Sequence, residues 1–156
     1  MTTTRMLVDG KAAGQVSALD RGLSYGDGLF ESIRLVGTVA PLWSRHMDRL
    51  VASCERLRMP VPDAAQLWRE ALEVTHGMPQ SVVRITLTRG IGERGYTPPA
   101  SALPTRIVAA FSPPKPHAQA LRLRLPASLP DRRRSPSASA GFRHLIPARR
   151  GRRRAS

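Results

Sequence analysis

Apolar and polar positions alternate, cluster at helical spacing and alternate again along the first 111 residues. Residues 5–9 (Arg-Met-Leu-Val-Asp) read as a short strand, Gly10-Lys11 as a turn, and 12–16 as a second short strand. The Gly-, Ser- and Asp-rich run 17–27 reads as a loop. Over 30–36, Phe30, Ser32, Arg34 and Val36 fall on one side and Glu31, Ile33 and Leu35 on the other, which predicts a strand. Gly37 then predicts a turn and 38–42 a returning strand. Ser44 is a suitable helix N-cap, and Met47, Leu50, Val51, Cys54 and Leu57 follow at helical spacing down to Arg58. Met59-Pro60-Val61-Pro62 breaks that helix. Asp63 can cap a second, whose buried stripe is Leu67, Trp68, Ala71 and Leu72, with Gly77 ending it. Residues 81–88 alternate as a half-buried strand, 89–104 form a long loop, and 105–111 are another strand. The pattern predicts a strand-rich α+β domain over 1–112, with no internal repeat. A stiff proline-rich linker (Pro113-Pro114-Lys115-Pro116) follows, with the start of a further domain over 113–125.

Composition alters this picture mainly at the end of the chain. Residues 1–125 hold 16 Lys and Arg against 10 Asp and Glu, whereas 126–156 hold nine Arg against the single acid Asp131. More than half of the net charge of +14 therefore lies in the last fifth of the sequence. That tail is built of Arg, Pro, Ser, Ala and Leu without helical or strand periodicity, and such composition predicts disorder. The lone Cys54 excludes a disulfide framework within the chain. The sequence has no apolar run of bilayer length and no basic-then-apolar leader, so a soluble cytoplasmic protein is expected. No metal-ligand spacing is present. Lysine is scarce: Lys11 and Lys115 stand beside 23 arginines.

Four stretches carry candidate chemistry. The first is Asp20-Arg21-Gly22-Leu23-Ser24-Tyr25-Gly26-Asp27-Gly28-Leu29-Phe30-Glu31. Spacing alone favours an ordinary glycine-rich turn, though such glycines also let backbone approach a ligand or a partner chain. In the second, His46, Arg49 and Ser53 share a helix face distinct from the Met47/Leu50/Cys54 stripe. A guanidinium on a rigid helix suits a phosphate, although an arbitrary arginine there is more often simply solvated. The third, Arg89-Gly90-Ile91-Gly92-Glu93-Arg94-Gly95-Tyr96, places glycine amides and two arginines where an anion could bind. The fourth is Ala140-Gly141-Phe142-Arg143-His144-Leu145 in the tail, where chance similarity within biased sequence is the competing reading.

Together these stretches resemble the fold-type IV (D-amino acid aminotransferase-like) pyridoxal-phosphate enzymes, and aminodeoxychorismate lyases most of all. The resemblance covers about residues 5–125 and implies the N-terminal α+β domain of that fold, with the second domain missing. It implies that Arg49, in its His-x-x-Arg-Leu setting, binds the phosphate of pyridoxal 5′-phosphate, and that Arg94 and Tyr96 lie on the substrate side. It further implies conversion of 4-amino-4-deoxychorismate to 4-aminobenzoate and pyruvate, a step toward folate, by a homodimer acting on a small molecule. In that family a lysine amine forms the imine with the cofactor and then moves the proton. The possible equivalent position here is Arg143, whose guanidinium, with a pKa above about 12, never presents a free amine. No catalytic residue is thus assigned, and the chain itself is expected to be inactive.

Several alternatives stand beside this reading. A branched-chain or D-amino acid aminotransferase of the same fold is one, and a catalytically dead subunit partnering a full-length enzyme is another. From a different class comes a non-catalytic protein with a nucleic-acid-binding tail. Against it, Phe142 is the only aromatic near the basic run, which leaves base stacking little support, so nucleic acid is not expected as a partner. The tail composition also matches a GC-rich gene read out of frame, and a damaged continuation of a lyase is expected there.

Overall fold

The structure is a computed structural model in which residues 5–12, 14–99 and 103–115 are described. Its frame is one antiparallel sheet of five strands: β1 (Arg5–Val8), β2 (Lys11–Ala12), β3 (Gly28–Val36), β4 (Gln80–Thr88) and β5 (Thr105–Phe111). They lie in the order β2-β1-β5-β4-β3. β3 and β4 pair along their full lengths, from Gly28 opposite Thr88 to Val36 opposite Gln80. β5 fills the space between β4 and β1, with Ile85 opposite Val108 and Leu7 opposite Val108.

The alternation in the sequence decides which sheet face is covered. Leu29, Ile33, Leu35, Val83, Ile85, Leu87, Val108 and Ala110 all point one way and are buried. The helices α2 (Trp43–Leu57) and α3 (Ala64–Val74) lie over that face, α2 against β3 and α3 against β5 and β1. They contribute Met47, Leu50 and Cys54, and Leu67, Ala71 and Val74, to the same core. Each Leu, Ile, Val or Met side chain so withdrawn from water stabilises the fold by about 1.5–3 kcal/mol. Trp43 and Trp68 meet edge to face at 4.7 Å and join the two helices. On the opposite face Phe30, Val36 and Phe111 remain 41–47% exposed.

The structure departs from the sequence reading at four places. The returning strand expected over 38–42 is absent: a single bridge between Val36 and Val39 closes the turn, and the chain passes straight into α2. Pro41 cannot donate to a ladder, and β3 already pairs fully with β4, so it stays an edge strand. The first helix starts at Trp43 with Leu42 at its cap position and no side-chain cap bond, so Ser44 is not the N-cap. Packing of Trp43 against Trp68 draws the helix back by that residue. The second strand is only Lys11–Ala12 instead of 12–16.

The fourth departure matters most. Within the run read as loop lies a short helix, α1 (Arg21–Tyr25). Asp20 caps it by accepting from the Gly22 amide at 2.7 Å, and Gly26 ends it at φ +64°, a conformation that favours glycine. Five residues are too few for helical periodicity to register in a sequence.

Candidate functional site

The β3–α2 contact carries an ion cluster. Glu31 falls on the buried face of β3, between Leu29 and Ile33, and is only 5% exposed. A carboxylate there needs partners, and α2 supplies them. Arg49 donates from Nε to Glu31 Oε1 at 2.7 Å and from its Nη2 to Oε2. His46 Nδ1 stands 2.7 Å from the same Oε2 and takes the donor role, since an ionised carboxylate only accepts. Burial pushes the Glu31 carboxyl up, but the hydrogen bonds and charge of Arg49 and His46 outweigh it and hold the group below its ordinary value. The same pairing raises Arg49 above the usual guanidinium value. The Arg49 side chain is nevertheless 63% exposed, and its Nη1 donates to nothing among the described residues. Its orientation is thus fixed by Glu31 while one edge stays open. Ser53, on the same face, donates to the Arg49 carbonyl at 2.7 Å.

A second network ties the first glycine-rich stretch to the loop after β4. Asp20, 2% exposed, accepts from Thr88 Oγ1 at 2.9 Å and Thr105 Oγ1 at 2.7 Å, joining the end of β4 to the start of β5. Asp27 Oδ2 accepts from Arg21 Nε at 3.0 Å and from Arg89 Nε at 2.8 Å. Burial raises the Asp27 carboxyl, yet the bonds and charges of Arg89 and Arg21 bring it below its ordinary value. Arg89 reaches on to the Leu57 carbonyl at 2.8 Å and the Arg58 carbonyl at 3.3 Å, satisfying free acceptors at the C-terminus of α2. Arg21 reaches the carbonyls of Gly95 and Tyr96.

These bonds revise the sequence reading of the third stretch. Of its two arginines, Arg89 is spent on Asp27 and α2, so it does not supply charge to a ligand. Arg94 has no hydrogen bond or ion pair among the described residues and is exposed. Tyr96 is 90% exposed, and its ring rests 5.6 Å from that of Tyr25. Arg94 lines a cleft of about 1160 Å³ together with Leu19, Ile91, Gly92, Leu103 and Thr105. Arg94 and Tyr96 thus share one loop, while Arg49 sits on α2 with no hydrogen bond or ion pair to either. Arg143 and the rest of its stretch lie outside the described residues.

Sequence reasoning missed Glu31, Asp20, Arg21, Asp27 and Arg89 as site builders. For Glu31 a signal was available: an acid in phase with Ile33 and Leu35 must find a buried cation. For Arg21 and Asp27 no periodicity could reveal bonds that span 62 to 75 positions. Among the described residues no group of three or more His, Cys, Asp or Glu could hold a metal ion, and no helix is long and apolar enough to cross a membrane.

Comparison with known proteins shows the family to which the chain belongs. Residues 28–149 match the family model described as amino-transferase class IV, a span that takes in Arg143. A putative branched-chain-amino-acid aminotransferase of Methanocaldococcus jannaschii is 35% identical over 111 residues, covering 69% of this chain and 38% of that protein. An aminodeoxychorismate lyase of Vibrio harveyi is 31% identical over 107 residues, 69% of this chain and 40% of its own length. The chain thus spans about two fifths of the length of these curated relatives. The crystal structure of 4-amino-4-deoxychorismate lyase from Pseudomonas aeruginosa superposes with a TM-score of 0.63 and 42% identity, over 70% of this chain and 40% of that one. A hypothetical aminotransferase from Mycobacterium tuberculosis, in its α-ketoglutarate- and PMP-bound form, matches with a TM-score of 0.55 and 26% identity, over 71% of this chain and 40% of that one.

Proposed function

Because this chain belongs to the class IV aminotransferases, we propose that its site serves the aminodeoxychorismate lyase reaction, giving 4-aminobenzoate and pyruvate from 4-amino-4-deoxychorismate. The observation that carries this reading is Arg94. Of the three arginines in the two glycine-rich stretches, Arg21 and Arg89 are consumed by Asp27 and backbone carbonyls, and Arg94 alone has no partner among the described residues. An unspent guanidinium beside an apolar cleft suits a substrate that carries two carboxylates and a ring. Tyr96, nearly fully exposed, offers a ring and a hydroxyl on the same loop.

The cofactor of this reading is pyridoxal 5′-phosphate, and the described residues fit its phosphate. Arg49 is aimed by Glu31, which His46 holds in turn, and keeps Nη1 free, the condition for a charge-assisted bond to a phosphate oxygen. When bound, pyridoxal phosphate supplies an electron sink for the carbon that loses its proton. Arg94 and Tyr96 hold and orient the substrate. The proton-moving amine of the family is not supplied at Arg143, so this chain binds cofactor and substrate without completing the chemistry. A homodimer is part of the reading: Leu19, Ile91, Leu103 and Tyr96 are 58–90% exposed around one loop region, apolar surface that a second copy would cover.

The transaminase reading keeps one specific support, the branched-chain aminotransferase relative. The two readings part at Arg94, since a branched-chain 2-oxo acid has one carboxylate and an aliphatic tail. Calorimetric titration of the full chain, with pyridoxal phosphate present, with chorismate as a stable dicarboxylate probe is the test. Binding of chorismate that falls at least about ten-fold in Arg94→Gln, as for a lost charge-assisted contact, supports the lyase reading. Tighter binding of a branched-chain 2-oxo acid than of chorismate overturns it.

A further inference from the structure

The loop that carries Arg94 and Tyr96 is held from below by one buried side chain. Arg21 is 2% exposed and donates Nη1 to the Gly95 carbonyl at 2.9 Å and Nη2 to the Tyr96 carbonyl at 3.0 Å. Its Nε is fixed by Asp27, and its guanidinium lies over the Tyr25 ring at 4.7 Å. Tyr25 adds to the hold, its hydroxyl accepting from the Gly95 amide at 2.9 Å while its ring meets that of Tyr96. Every one of these contacts comes from α1 or from Asp27, two residues beyond it.

Gly92 gives the same account from the loop's side. A Cβ there would lie 2.8 Å from Arg21 Cδ, closer than such atoms approach, and a tight 3.1 Å from Cγ, so the arginine stem would have to shift. Gly92 is not among the glycines at positive φ, so its backbone would accept an alanine. What excludes a side chain is the Arg21 stem, which passes beneath Gly92 on its way to residues 95 and 96. The glycine in the Arg-Gly-Ile-Gly-Glu-Arg stretch therefore makes room for an arginine 71 positions earlier.

We infer that Arg21 is the positioning residue of the Arg94/Tyr96 loop, an inference whose bearing on substrate rests on the function proposed above. A lysine could not replace it, because one ammonium does not reproduce a planar fork that meets two carbonyls and a carboxylate at once. Loss of the fork frees residues 94–97 while the β3–β4 ladder stays intact, so Arg94 keeps its charge but loses its place.

Amide hydrogen exchange on the full chain tests this, with β3 and β4 amides as the internal reference. In Arg21→Ala, exchange at the Gly95 amide should rise roughly ten-fold or more, with the reference amides unchanged. Arg21→Lys should not restore protection, whereas guanidinium ion added to Arg21→Ala at non-denaturing concentration should. Gly92→Ala should free the same amides in the natural background and add nothing in the Arg21→Ala background, because the methyl group then enters vacated space. With only two tyrosines in the chain, selective ring labelling gives a further signature: the Tyr96 resonances should move toward those of an unstacked ring. Should Arg21→Ala fail to fold, Gly92→Ala decides alone, since it leaves every charge in place. Unchanged protection at Gly95 in the folded variants, or effects of Arg21→Ala and Gly92→Ala that simply add, would overturn the inference. Chorismate titration separates it from the functional reading: loop loosening as expected without chorismate binding by the natural chain leaves the positioning role standing and removes the substrate role of Arg94.

Discussion

Asp27→Asn isolates the charge at the centre of the network. The substitution keeps the shape of the side chain but leaves Arg21, 2% exposed, and Arg89, 11% exposed, without their shared anion. Removing one partner of a buried ion pair costs about 3–5 kcal/mol. The asparagine carbonyl can still accept one of the two donors, which returns part of that. A loss of about 3 kcal/mol at pH 7 follows, a large share of the roughly 5–15 kcal/mol that holds an ordinary domain together.

The pH dependence makes the prediction specific. The folded-state pKa of Asp27 lies below its ordinary value, so its contribution is complete above the unfolded value of about 3.9 and is lost as pH falls through the folded value. Protonated Asp27 is as neutral as asparagine. The stability gap between natural and variant chains should therefore shrink steadily below about pH 4. Glu31, also held low, destabilises both chains equally in that range and drops out of the difference. Urea unfolding followed by the fluorescence of Trp43 and Trp68, which sit against each other between α2 and α3, reads the gap. A gap under about 1 kcal/mol at pH 7, typical of an exposed pair, would refute the reasoning, as would a gap that persists into acid.

Arg49→Ala should weaken pyridoxal phosphate binding by the full chain by about 1–2 kcal/mol, the exposed guanidinium being partly screened, as a fluorescence titration would show. Borohydride treatment of the chain with pyridoxal phosphate, followed by peptide mapping, should find no stoichiometric pyridoxyl group at Lys11 or Lys115, the two lysines present. Ser81 Oγ is buried without a hydrogen-bond partner among the described residues, so Ser81→Ala should leave the urea midpoint unchanged or raise stability by about 1 kcal/mol.

The covered face of the sheet and both long helices were legible because one apolar face repeats at period two in β3 and β4 and at helical spacing in α2 and α3. What the pattern could not give is α1, where a glycine and two caps leave room for only five helical residues. Nor could it give the choice at residue 38, where alternation continues past Gly37 but an edge strand and Pro41 leave no ladder to join. At the site, sequence picked out Arg49, Arg94 and Tyr96 by motif, yet the motif is silent on which arginines are already engaged. That depends on Asp27 meeting Arg89 across 62 positions and Arg21 meeting Tyr96 across 75.

Engagement also changes what the high net charge means. Counted as sequence, the glycine-rich stretches offer three cations to an anionic partner. In the fold, Arg21 and Arg89 share one carboxylate and end on backbone carbonyls, where they act as struts. Arg106 is likewise closed on Glu70 by two bonds of 2.8 Å, and Arg84 lies over the Phe30 ring at 4.2 Å. Of the three arginines in the glycine-rich stretches, Arg21 thus holds the 95–96 loop, Arg89 closes the end of α2, and Arg94 is left unspent. One unspent guanidinium on a held loop is what the proposed recognition of a small dicarboxylate asks for, because a fixed fork meets a carboxylate in one geometry.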